Sequence, residues 1–153
     1  MKVQEFLSKQ QKKLMEKYAT LRDEEVELGG VVSRFLETTY TNALELAETI
    51  SLEKRPVILF IGIEDCPICK KGRVELDELK RSHAEVEIFI LDYNEDPSGL
   101  LYHMIEDGDL GGPLPLIAMI HDGCLRQVWR GEVVTGEEYE RCLGQTDLLN
   151  VSL

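Results

Sequence analysis

VILFIGIEDCPICKK, residues 57–71, is the stretch whose reading decides the fold. Its first part, VILFIGI, is a continuous apolar run rich in β-branched residues, the pattern of a short strand covered on both faces. Its last part, CPICKK, opens a different pattern. From Cys66 to about Arg81 the apolar residues Val74, Leu76 and Leu79 fall at helical spacing, and Pro67 suits a first helical turn because its missing N–H would have been unpaired there. A buried strand therefore runs into a helix, and Cys66 stands at the junction. Free N–H groups and the positive end of the helix dipole face its sulfur and favour thiolate over thiol. Cys69, nearly one turn on, lies within the short reach a disulfide requires. An activated sulfur with a second close behind it is what thiol–disulfide exchange asks for. Glu64 and Asp65 work against this. Two carboxylates beside a thiolate are expected to raise the pKa of Cys66.

Outward from this centre the periods alternate. Towards the N-terminus, Val32, Phe35, Leu36, Tyr40, Ala43, Leu44, Ala47 and Ile50 predict an amphipathic helix that ends before Lys54-Arg55-Pro56. Before it, Val3, Phe6, Leu7, Leu14, Tyr18 and Leu21 predict another over 3–25, closed by Gly29-Gly30. Towards the C-terminus, VEIFILDY (86–93) reads as a strand and the residues after Asp96-Pro97 as a modest helix. DGDLGGPLP is a loop leading into the strand LIAMI, and Asp122-Gly123 marks a hairpin turn. CLRQVWRGEV follows as a fourth strand, with Leu125, Val128 and Val133 as its apolar positions, and Thr135 with Glu138 reads as the capping box of a last helix. After residue 56 the order is strand, helix, strand, helix, strand, strand, helix. Strands joined by a helix crossover are expected to be parallel, and the last two to be an antiparallel hairpin.

Length and charge narrow the function. A chain of 153 residues, 43% hydrophobic, is one domain with room for an appendage, and no apolar run approaches a membrane span. MKVQEFLSKQ lacks the apolar core of a signal peptide, which predicts a cytoplasmic protein, where a close cysteine pair is more often catalytic or metal-binding than structural. The net charge of -12 argues against nucleic acid. Residues 1–17 invert that charge, with five lysines against Glu5 and Glu16. Their apolar stripe needs a partner surface, since a solitary helix is marginal in water. The helix either packs back on its own domain or pairs with a second copy or another protein; a lysine-flanked helix suits the acidic domain of a second copy, which favours a homodimer. The chain divides accordingly into a helical extension, 1–30, and an α/β domain, 31–153.

Metal binding is the competing chemistry for the cysteines. A structural zinc needs four ligands, usually as two close pairs. Cys124 and Cys142 form no second pair, and His83, His103 and His121 are isolated, so no cofactor is expected. A metal or iron–sulfur centre would have to use Cys66 and Cys69 of two subunits. Cys142, in line with Tyr139 and Leu143 on one helix face, is expected in the core, and Trp129 is expected to pack.

CPICK at a strand-to-helix junction, then GGPLPLIAMIHDG, then WRGEV and a capped final helix, resembles the thioredoxin family over about residues 31–149. The resemblance implies a thioredoxin-like sandwich, a central four-stranded mixed sheet flanked by helices, here with an extra N-terminal helix. It implies a cis-proline at Pro115, a backbone at Leu114 that meets a bound substrate chain, and Pro67 and Ile68 on the same contact surface. Cys66 would attack a protein disulfide and Cys69 resolve it, with an unidentified reductant restoring the pair. The chain departs from the family at two places. Asp65 stands where a tryptophan is usual, and Phe60 where an aspartate usually passes protons to the second sulfur. The Pro-first dipeptide is similar to that of glutaredoxins, but their Thr-Val-Pro signature is missing. The alternative these departures support is a protein-binding module on the same fold, with weak or no redox activity.

Overall fold

Both faces of the first strand are apolar, and both are covered. The computed structural model describes residues 41–105 and 113–152, together with Glu5, Lys9 and Lys12. The helix over 41–52 is α1; then come β1 (Val57–Gly62), α2 (Pro67–Ser82), β2 (Glu87–Asp92), α3 (Asp96–Ile105), β3 (Leu116–His121), β4 (Cys124–Arg130) and α4 (Gly136–Ser152). The strands form one sheet in the order β2-β1-β3-β4, with β2 parallel to β1 and β3 antiparallel to both β1 and β4. This is the mixed four-stranded α/β architecture expected from the element order.

Alternation in β1 and β3 sorts side chains into two cores. Val57, Leu59 and Ile61 of β1 meet Leu116, Ala118 and Ile120 of β3 under α1 and α3, where Ala43, Ala47, Ile50, Leu101, Tyr102 and Ile105 close the layer. Ile58 and Phe60 meet Ile117 and Met119 on the other face, beneath Cys69, Leu76 and Leu79 of α2 and Tyr139, Cys142 and Leu143 of α4. All six residues of β1 are buried, which is why that run shows no polar alternation. Trp129 and Tyr139 meet edge to face at 5.6 Å in the second core, so the tryptophan packs as expected.

Three local readings change. Val74 is 56% exposed and faces solvent; the helix buries Cys69, Gly72, Leu76 and Leu79 instead. β4 ends at Arg130, before Val133, and its ladder slips between Met119 and Ile120, which pair with Gln127 and Leu125. Arg126 is the residue left over. That bulge brings Leu125 and Val128 onto one face although their spacing is odd. Thr135 does cap α4, accepting from the Glu138 N–H at 3.3 Å, but the Glu138 carboxylate turns to Arg141 and leaves the box half made. Asp122 and Gly123 both take positive φ, 54° and 69°, the conformation that a two-residue hairpin of this hand requires.

The predicted helix over 3–25, the start of its successor and the boundary near residue 30 lie outside the described residues. Glu5, Lys9 and Lys12 alone are described there, helical and exposed.

Candidate active site

Parallel pairing of β1 with β2 leaves the C-terminal end of β1 free to turn into α2, and CPIC sits on that turn. Cys66 has extended backbone, φ -93° and ψ 116°, and occupies the N-cap position with Pro67 behind it. Its Sγ accepts a hydrogen bond from the Cys69 N–H at 3.2 Å, and its carbonyl accepts from the Lys70 N–H at 3.0 Å. A cysteine sulfur thus fills the place usually taken by a Ser, Thr, Asp or Asn oxygen, and a helix start rewards negative charge there. Cys66 is half-buried and Cys69 fully so. Both are free thiols.

The two sulfurs differ in character. Burial pushes the Cys66 thiol up, but four influences together carry it below its ordinary value: a hydrogen bond from the Cys69 side chain, backbone N–H groups of Cys69 and Ile68, and the Arg73 guanidinium. Glu64 and Asp65 are exposed and are not among these causes. The expected rise at Cys66 is therefore reversed: carboxylates in open water are screened, while the helix end acts at contact distance. Cys69 moves the other way, to about 11, through burial first, then its bond to Cys66.

The proline loop comes to the same end of the sheet by register. Ile61 pairs with Leu116, so Gly62 and Pro115 are the next residues along each strand. The Leu114–Pro115 peptide is cis. Pro115 is buried, Leu114 is half-buried and packs on both cores, and Pro67 and Ile68 are exposed on the first turn of α2. Two hydrogen bonds hold the loop: the Tyr102 hydroxyl donates to the Pro113 carbonyl at 2.7 Å, and the Gly131 N–H to the Pro115 carbonyl at 2.9 Å. Gly131 has φ 65°, and a Cβ there would lie 2.6 Å from Pro113 Cβ, so only glycine fits.

Sequence reasoning missed Tyr102, Gly131, Gly62 and Arg73. Arg73 was legible in principle, one turn past Cys69; the others act through contacts between distant segments. Among the described residues no group of three or more His, Cys, Asp or Glu converges as a metal site would require.

No family model matches the chain, and no curated protein matches it in sequence. Solved structures do match in shape. A chloroplastic thioredoxin z is similar with a TM-score of 0.54 at 20% identity, over 68% of this chain and 88% of the other. Thioredoxin-2 of the malaria parasite, a component of its protein secretion machinery, is similar at 0.51 and 13%, over 61% and 85%. The oxidised thioredoxin of Plasmodium falciparum is similar at 0.50 and 15%, over 67% and 89%. At such identities the likeness concerns shape, and the element order, the mixed sheet and its flanking helices agree with it: the chain carries the thioredoxin fold.

Proposed function

We propose that the chain is a thiol–disulfide oxidoreductase acting on protein disulfides through Cys66 and Cys69. One observation carries the reading. The Cys69 N–H donates to the Cys66 sulfur at 3.2 Å at a helix start, yet the two thiols are oppositely poised, one half-buried and lowered, the other buried and raised. Cys66 is then the attacking thiolate and Cys69 the resolving thiol. Leu114 and Pro115 with Pro67 and Ile68 form the surface that a substrate chain meets, and a separate dithiol reductant restores the pair.

The test is reduction of a protein disulfide such as that of insulin with dithiothreitol as electron source. Wild type should accelerate it, Cys66→Ser should not, and Cys69→Ser should accumulate a covalent complex on Cys66. Phe60, wholly buried beside Cys69, favours the second reading, a binding module with little turnover. Equal rates for wild type and Cys66→Ser would select that module. Capture of substrate on Cys124 or Cys142 would refute the assignment of roles.

A further inference from the structure

Releasing a substrate from Cys66 requires Cys69 to lose a proton, and the packing around its sulfur governs how readily that happens. Cys69 is 0% exposed. Gly62 lies so close that an added Cβ would stand 2.9 Å from the Cys69 Sγ and 3.0 Å from Cε1 of Phe60. The same phenyl ring rests against Gly72 of α2, where a Cβ would meet its Cε2 at 3.0 Å. Two glycines thus make room for a large apolar ring beside the buried sulfur. Among the described residues, the Cys66 sulfur is the one group facing Cys69 that could take its proton, and a mixed disulfide on Cys66 removes that acceptor. β1 offers Phe60 and Gly62, the Ile63 backbone just after it offers a hydrogen bond that favours the thiolate but takes no proton, and α2 offers the Cys66 sulfur and the Arg73 cation. From α4, Tyr139 and Cys142 enter the same core, both neutral because burial raises them. Glu64 and Asp65, in the preceding loop, point their charge at solvent.

From this packing we infer that the mixed disulfide on Cys66 is a long-lived state, so that the protein captures a disulfide substrate quickly and holds it covalently rather than turning it over. The inference rests on the exchange reading above and deepens it. In the first step the Cys66 thiolate attacks one sulfur of R–S–S–R′. The Cys66–S–S–R bond forms, the substrate S–S bond breaks, and R′S⁻ leaves with the electron pair to be protonated by water. In the second, the Cys69 thiol gives its proton to water or hydroxide, and its thiolate attacks the Cys66 sulfur. The Cys66–Cys69 disulfide forms and RS⁻ leaves. Two electrons pass from the dithiol to the substrate, giving two substrate thiols. Forming the adduct removes the Cys66 anion, but burial, the largest influence on Cys69, persists. The reverse step is slowed equally, because it must expel Cys69 as a poor leaving thiolate.

Equimolar 5,5′-dithiobis(2-nitrobenzoate) mixed with the reduced wild-type protein separates the two steps. Each releases one nitrothiobenzoate, and acid quenching with mass analysis reports the adduct and its position. A burst from Cys66 is expected, followed by a second release about tenfold or more slower at neutral pH. That second rate should climb about tenfold per pH unit below the Cys69 pKa. Phe60→His, which sets an imidazole beside the sulfur, should speed the second release and leave the burst unchanged. Should that variant not fold, the wild-type pH series decides by itself. A second release that keeps pace with the first, so that no adduct accumulates, overturns the inference while leaving the exchange reading intact. A burst that is absent, or survives in Cys66→Ser, removes the exchange reading and the inference with it.

Discussion

A single hydrogen bond, Cys69 N–H to Cys66 Sγ at 3.2 Å, does for a thiolate what a serine or aspartate oxygen does at other helix starts. The bond explains why the acidic flank matters less than its sequence position suggests. Asp65→Asn should therefore leave the rate of Cys66 alkylation near neutral pH unchanged. Arg73 is the charged side chain that favours the Cys66 thiolate. Removing it by Arg73→Met raises the Cys66 pKa, lowers the thiolate fraction at pH 7 and slows iodoacetamide labelling. The expected change is roughly two- to fivefold, since a partly exposed charge contributes about 1 kcal/mol or less. A large effect of Asp65→Asn with none from Arg73→Met would reverse the ranking. At this scale the sequence placed Cys66 at the helix start, through Pro67 and the strand before it. It did not show the sign of the net shift, because that depends on how far each carboxylate stands from water.

Elements carry the same lesson in geometry. Leu125 and Val128 cannot share a face of a regular strand, yet both pack on the first core because the ladder slips at Met119/Ile120. No composition signal announces that slip, since an arginine is a common residue type on a strand. Turn and cap chemistry, by contrast, was legible, since Asp122-Gly123 and Thr135 act on their own backbone. Thr135→Ala removes the acceptor for the Glu138 N–H and should destabilise the fold by about 1 kcal/mol in urea unfolding. Gly123→Ala should cost about 1–2 kcal/mol, because φ 69° disfavours any Cβ. Its Cβ would also meet the Ser51 carbonyl oxygen at 3.3 Å. Unchanged unfolding midpoints for both would show that neither end of the hairpin-to-helix segment depends on these residues.

Across the molecule, the Cys66–Cys69 pair belongs to one core and the strut beneath the proline loop to the other. Tyr102, on α3, is buried beside Tyr93, their rings edge to face at 5.1 Å, while its hydroxyl reaches the Pro113 carbonyl. Tyr102→Phe should cost about 1 kcal/mol of stability. It should also weaken exchange with a protein disulfide while leaving Cys66 alkylation untouched, since the loop and the thiolate are held separately. The plan of one sheet covered on both faces was readable from VILFIGI and the order of elements after residue 56. Tyr102 was not, because nothing local relates it to a loop eleven residues on. In the proposed function one of the four cysteines is activated and its neighbour is withheld. Alkylation with iodoacetamide across a pH series, resolved by peptide mass, tests it for all four at once. Cys66 should label first, with a midpoint below that of an ordinary cysteine, because a lowered pKa keeps its thiolate present at lower pH. Cys69 should resist until pH approaches its value of about 11. Labelling of Cys124 ahead of Cys66, or a shared midpoint for Cys66 and Cys69, would show that Cys66 is not the activated thiol.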